Sequence, residues 1–308
     1  MTPPAEMTAI AMGVHVLDVL VRPVEQIPEG QGGQLVEEIR VTPAGSAGGT
    51  AVTLAKLGAV TRSAGAIGTD AAGDMLLALL ERHGIDTSLL VRRDDVQTSA
   101  SVLPIRPNGD RPAFHVVGAN GTYGPADAPW EEIAAADHLH LGGPEFMGGE
   151  AAGEILSHAR DHRVVTSADV LAPGDPGLLD WIAGALPHLD YLLPNDDQVL
   201  ALTGAGDLVG GARALVGRGV GCVVATCGAD GALIVDAESE QRVPAFAIDV
   251  VDTTGCGDAF SAGFLRGLSL GRSRTDAATL GCAAAALVAQ GLGSDHGDFD
   301  LAAADAFA

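Results

Sequence analysis

The residues with the clearest chemical potential lie in one stretch, Val250-Val251-Asp252-Thr253-Thr254-Gly255-Cys256-Gly257-Asp258-Ala259-Phe260. An apolar run gives way to a turn of small residues, and a small, apolar helix pattern follows through Leu268. Glycines at 255 and 257 let the chain turn sharply and keep side chains out of the way. Successive backbone N–H groups then converge at a helix N-terminus. Unpaired amides gather partial positive charge there, so an anion such as phosphate can dock without a lysine. Asp258 falls in the first turn of that helix, where a carboxylate can take the proton of a hydroxyl attacking the docked group. The same residues also make an ordinary capped helix start with Asp258 as cap, and Gly-x-Gly spacing alone does not choose between the two.

Other chemistries find less material. The chain has sixteen arginines but one lysine, Lys56. A Walker A loop needs Gly-Lys followed by Ser or Thr, whereas Lys56 is followed by Leu57. A dinucleotide-binding turn needs a third glycine where Phe260 stands. His158 and His162 have metal-ligand spacing on a helix but no evident third ligand, so a solvated pair is the default. His138 and His140 share one face of a strand and read as core or pocket histidines. Cys227 has no neighbouring base to make it a nucleophile.

The 308 residues are 47% hydrophobic, enough for one large α/β domain or two ordinary ones. A net charge of −23 opposes nucleic acid and anionic membrane surfaces. Aromatics make up only 4%, which leaves little to stack on bases. Four cysteines without a C-x-x-C pair, and no charged-then-apolar leader, predict a reducing, cytoplasmic setting. No run reaches the roughly 18 uninterrupted apolar residues of a membrane span.

Elements that position the glycine turn follow a β-α alternation, which predicts a mostly parallel sheet with helices on both faces. Strands are predicted at 8–17, 61–67, 138–141, 164–168, 191–193 and 222–226, the last entering a hairpin through 228–231. Helices are predicted at 46–57, 74–83, 149–160, 196–203, 207–217, 257–268 and 275–290. Residues 19–44 and 97–118, the latter around Pro107-Asn108-Gly109-Asp110, lack a helical period. They predict a small accessory sheet that could act as a lid, or else ordinary surface hairpins.

With these motifs in hand, the chain resembles the PfkB family of carbohydrate kinases, which has the ribokinase-like fold. Asp252 to Asp258 followed by Ala-Phe resembles the family's second signature, D-T-T-G-A-G-D-x-F, with Cys256 the one departure. Residues 43–58 (PAGSAGGTAVTLAKLG) resemble the first signature. Gly13 with Asp18, the block Gly65 to Asp74, Gly118-Ala119-Asn120, Gly142-Gly143, Asp190 to Asn195, and Thr226 to Gly231 all fall in family order.

The resemblance implies a single catalytic domain over 1–308, with a lid from about 19–44 and 97–118. It implies ATP-dependent phosphorylation of a hydroxyl on a small sugar or sugar-like substrate, with Mg²⁺ and, in some members, K⁺. Asp258 is implied as base, and Gly255, Cys256 and Gly257 as amide donors to the phosphoryl group. Asp18, Gly45, Gly48, Gly49 and Asn120 fall on substrate-binding positions. Asn195, Thr226, Gly228 and Gly231 fall on the nucleotide site, and Asp252 and Thr254 on a monovalent-cation site. A nucleoside kinase of the same family and a non-catalytic ligand-binding relative are the alternatives. A lid edge could pair with a second copy, giving a homodimer.

Three departures stand out. Ala44-Gly45 replaces Gly-Gly. Gly49 stands where the family has a substrate-binding asparagine, which predicts altered acceptor choice. Gln198 stands where N-x-x-E has its carboxylate, which predicts weaker Mg²⁺ organisation.

Overall fold

A computed structural model describes residues 6–107, 110–171 and 177–308. Its strands are β1 (Thr8–Gly13), β2 (Val16–Arg22), β3 (Glu38–Ala44), β4 (Val60–Gly68), β5 (Asp86–Arg93), β6 (Ala100–Pro104), β7 (Phe114–Val116), β8 (His138–Gly142), β9 (Val165–Asp169), β10 (Tyr191–Leu192), β11 (Cys222–Thr226), β12 (Ala232–Asp236) and β13 (Glu240–Val243). Its helices are α1 (Ser46–Lys56), α2 (Ala71–Arg82), α3 (Trp130–Ala135), α4 (Gly149–Asp161), α5 (Leu178–Trp181), α6 (Asp196–Thr203), α7 (Leu208–Gly217), α8 (Cys256–Ser269), α9 (Arg274–Val288) and α10 (Leu301–Phe307).

Nine strands form one sheet in the order β13-β12-β11-β10-β9-β8-β1-β4-β5. From β11 to β5 every neighbouring pair is parallel, and an antiparallel hairpin, β12 and β13, closes the other edge. Parallel strands buried on both faces must be apolar throughout. In β1, Ile10 and Met12 join a core with α3, α4, α6 and α7, while Ala9 and Ala11 point to cores with α1, α2, α8 and α9. The α/β architecture with a mostly parallel, helix-covered sheet is the expected one.

The second sheet runs β3-β2-β6-β7. Its alternation is that of a half-covered surface: Asp18, Leu20, Thr42, Ser101 and Leu103 are buried, whereas Ile39, Val102 and Phe114 on the opposite face are exposed.

The predicted strand at 8–17 needs correction, because it is two strands in two different sheets. Gly13 has φ +113°, and a Cβ there would lie 2.2 Å from the carbonyl oxygen of Gly142. The Val14 N–H also bonds that oxygen at 3.1 Å, so the chain leaves the large sheet at this point. The sequence reading also omitted β5, β13, α3 and α10. β5 lies at the edge of the sheet and has only Leu90 fully buried, so its apolar run is broken by Asp86, Arg92 and Arg93. Asn108 and Gly109 of the expected turn lie outside the described residues.

Candidate active site

The C-terminal ends of the parallel strands, where open α/β sheets present their crevice, face the N-termini of α1 and α8. Gly255 caps the start of α8 with a left-handed φ of +77°, and a Cβ there would lie 2.4 Å from Ser294 Cβ. The turn before it is held from within. Asp252 is buried; its Oδ1 accepts from the N–H and hydroxyl of Thr254 at 3.0 and 2.8 Å, and its Oδ2 accepts from Gly293 N at 3.0 Å. Among the described residues the N–H groups of Gly255, Gly257 and Asp258 find no acceptor. Of the amides singled out in the sequence, those of Gly255 and Gly257 are unengaged, whereas the Cys256 N–H leans on Thr253 O at 3.3 Å. Cys256 Sγ sits against Ala285 O, and burial pushes its thiol up to about 12, so it stays protonated and fills space.

Asp258 projects from the first turn of α8 onto α1. A Cβ at residue 49 would lie 2.1 Å from Asp258 Oδ2, so the carboxyl occupies space that only glycine leaves open. Thr50 Oγ1 also donates to Asp258 O at 3.5 Å. Part of Asp258 remains open to solvent, yet its carboxyl is largely desolvated. Desolvation, then the negative charges of Asp169 and Asp18, push its pKa well above the carboxylate range, while Arg111 pulls it down. Like charges crowding a buried carboxyl are the usual way a base is brought toward neutral pH.

Asp18, on the inner face of β2, is buried, and its Oδ1 has no hydrogen-bond partner among the described residues. Burial raises it to about 6, against the opposing pull of a Ser101 hydrogen bond and of Arg111. An unpartnered buried oxygen of this kind is available to a ligand hydroxyl.

Gly45 and Asn120 also make contacts within the protein. Gly45 (φ +83°) turns the chain into α1 over Val14 O, and the Ala47 and Gly48 N–H groups both bond that oxygen, at 3.1 and 3.3 Å. Asn120, expected at the substrate, holds the His15 peptide by both ends of its amide: Oδ1 accepts from His15 N at 3.1 Å and Nδ2 donates to His15 O at 3.0 Å. Asn120 thereby fixes the crossover between the two sheets.

The nucleotide-site expectations converge on a cavity of about 500 Å³ beside the anion hole. Thr226, Gly228 and Gly231 line one side, Cys256 and Gly257 another, and Phe246 and Ile248 make it apolar. Gly231 (φ +88°) would drive a Cβ to within 2.0 Å of Val243 O. Asn195 bridges to Thr226 at its edge and caps α6. Gln198 explains itself: it completes the capping box with Asn195 and donates from Nε2 to Val170 O at 2.6 Å, a bond no glutamate carboxylate can make.

Three contributors carried no local signal. Asp169 ends β9, with His140 Nε2 3.8 Å from its Oδ2; only its place at a strand terminus could have marked it. Arg111, from the β6–β7 connection, donates to Thr254 Oγ1 at 2.5 Å. Lys56 donates to the carbonyls of Asp295, His296 and Gly297 at 2.8, 2.8 and 2.6 Å. It thus ties the C-terminal end of α1 to the segment that reaches Asp252 through Gly293. His158 and His162 bond to Trp130 O and His158 O, and no cluster of three or more His, Cys, Asp or Glu suited to a metal occurs among the described residues.

A desolvated carboxyl thus lies beside unsatisfied helix-start amides and next to an apolar cleft at the strand ends, on a ribokinase-type fold. Residues 12–298 match the model of the pfkB family carbohydrate kinases, and the chain belongs to that family. It is 30% identical to an ATP-dependent ribose-1-phosphate kinase of Halopiger xanaduensis, over 80% of each chain. It is 28% identical to an aminoimidazole riboside kinase of Salmonella typhimurium, over 80% of this chain and 78% of that one. The fold superposes on the Arabidopsis thaliana ribokinase complexed with ribose and ATP with a TM-score of 0.86, at 21% identity, over 98% and 99% of the two chains.

Proposed function

We propose that this kinase transfers the γ-phosphoryl group of ATP to a hydroxyl of a neutral or anionic sugar or sugar-like substrate, with Asp258 as base. The observation that carries the reading is Asp258 itself: a carboxyl of raised pKa set beside free N–H groups of Gly255, Gly257 and its own residue. Asp18 accepts a substrate hydroxyl. The apolar cleft under Phe246 and Ile248 takes the adenine, with Thr226, Gly228 and Gly231 along its wall. The amides meet charge as it develops on the phosphoryl oxygens, without reorganising. Mg²⁺ arrives on the ATP phosphates, as it usually does where a protein offers no cage of its own. It neutralises phosphate charge when bound. A monovalent cation at Asp252 and Thr254 would share oxygens that already hold the hole loop.

The whole chain acts as one catalytic unit, and the small sheet acts as its lid by setting Asp18 over the crevice. The lid's edge strands β3 and β7, with Ile39 at 64% and Phe114 at 61% exposure, are where it pairs with a second copy. Ile39→Lys then gives a monomer in sedimentation; a wild-type chain that is monomeric at micromolar concentration contradicts the pairing.

The test is ADP release with ATP and Mg²⁺ across pentoses, hexoses, sugar acids, sugar phosphates and nucleosides. Acceptor-dependent release supports the reading and names the class. Silence with all of them, while ligands still raise the melting temperature, favours a binding protein on this fold.

A further inference from the structure

Lys56, the one lysine of the chain, ends α1 with its ammonium turned into the segment 293–297. Its three N–H bonds meet the carbonyl oxygens of three successive residues, Asp295, His296 and Gly297, at 2.8, 2.8 and 2.6 Å. The ring of Phe299 covers it, with its centroid 4.8 Å from Nζ. Arg40, the neighbouring cation, goes to the Asp295 carboxylate at 2.8 Å. Carbonyl dipoles aimed at one point repel one another, so this turn needs a positive charge at its centre. Rings of backbone carbonyls hold monovalent cations in just this way. The turn in its own right reaches the head of α8 by two contacts. Gly293 N donates to Asp252 Oδ2, and the other oxygen of Asp252 holds Thr254. Ser294 Cβ sits 2.4 Å from where a Cβ on Gly255 would begin, and its hydroxyl donates to Pro43 O. α1 is thus clamped to the start of α8 twice: Gly49 and Thr50 meet Asp258, and Lys56 holds the turn behind Asp252.

We propose that Lys56 is a positioning residue for phosphoryl transfer, its ammonium a tethered cation that holds three convergent carbonyls together and so fixes Asp252 and the turn carrying Gly255 and Asp258. The same carbonyls are a cation site, which takes a free primary alkylammonium ion when the side chain is cut back. The effect on transfer rests on the kinase reading above; the cation site does not. Loss of the charge lets the carbonyls separate, releases the Gly293 N–H from Asp252 and loosens the hole. Asp18 and the nucleotide cleft keep their own supports, so a protein without the ammonium binds both substrates and transfers slowly.

The test compares wild type, Lys56→Ala and Lys56→Met at pH 7, below the value of about 8 to which burial pulls the Lys56 pKa. n-Propylammonium, the part of the side chain that alanine lacks, is added at constant ionic strength against tetramethylammonium, which has the charge without N–H donors. Lys56→Met keeps the packing of the stem, and with it the fold, but brings no charge. Both variants are expected to melt below wild type and to lose about 10-fold to 10²-fold in kcat with the best acceptor of the panel, the scale of a small displacement of the reacting groups. KM for ATP and acceptor stays within a few-fold. n-Propylammonium raises the melting temperature and kcat of Lys56→Ala, tetramethylammonium raises neither, and Lys56→Met responds to neither ion. A wild-type kcat in Lys56→Met, or a Lys56→Ala melting temperature that rises no further with n-propylammonium than with tetramethylammonium, overturns the proposal while leaving the kinase reading intact. A wild-type protein silent with every acceptor overturns the kinase reading and the effect on transfer together, and the melting temperatures still decide the cation site.

Discussion

The carboxyl of Asp258 fills the place where any side chain at residue 49 would begin: Oδ2, Cγ and Cβ of Asp258 lie 2.1, 2.8 and 2.9 Å from a Cβ built on Gly49. Two helix N-termini, α1 and α8, therefore meet at one glycine and one carboxylate. The departure at residue 49 is then a steric condition for where the base sits, as well as the loss of an amide. Gly49→Ala must turn Asp258 away or push α1 from α8. Displacing a reacting group by an ångström can lower the rate by about 10²-fold. Overpacking at such a contact costs about 1–3 kcal/mol. A fall in both kcat and melting temperature is expected; full activity in Gly49→Ala would show that the base works from another position.

Asp18 makes the ligand-free protein less stable than it could be. Its pKa rises from 3.8 unfolded to about 6 folded. The folded state therefore holds its proton more tightly. Stability is full below about pH 3.8 and is lost as pH rises through 6, by about 3 kcal/mol at roughly 1.4 kcal/mol per unit. Asp18→Asn should melt higher than wild type at pH 7.5 and level with it near pH 4, while losing affinity for acceptor. Equal melting curves at both pH values would mean the carboxylate is solvated in the native protein.

Burial first, and then the charge of Asp169, raises the Asp258 pKa. Asp169→Asn removes that charge, so Asp258 ionises at lower pH. The acid limb of the kcat/KM profile should move to lower pH in this variant. A limb that stays in place would assign it to another group.

Gly255→Ala tests the hole's backbone. A left-handed φ of +77° costs a residue with a Cβ about 1–3 kcal/mol. That Cβ also collides with Ser294, whose hydroxyl donates to Pro43 O at 2.5 Å and links the turn to β3. Urea denaturation should show a lower midpoint with unchanged m-value. An unchanged midpoint would indicate that the turn adopts another conformation.

How much of this was legible in the sequence follows from how local each feature is. The candidate hole and base occupy consecutive residues, Asp252 to Asp258, so the motif is legible locally, although its glycine spacing alone fits a capped helix start as well. The alternation of strand-like and helix-like runs along the chain predicts the mostly parallel sheet. Asp169 and Arg111 reach Asp258 from 89 and 147 positions away, and neither carries a pattern around it. Lys56 was readable only as the lysine that no loop motif used; its three carbonyl partners are made by the fold. Motif order places Asn120 in the family's sequence of blocks but says nothing about its bonds to the His15 peptide, which are made by the fold.

The most direct measurement is acceptor-dependent ADP release by Asp258→Asn beside wild type, with ATP affinity measured on both. The account predicts a loss of about 10²-fold or more in kcat, the scale of a removed general base, with ATP binding kept. Turnover near the wild-type rate would contradict it, because the carboxyl at the head of α8 would then not be the base.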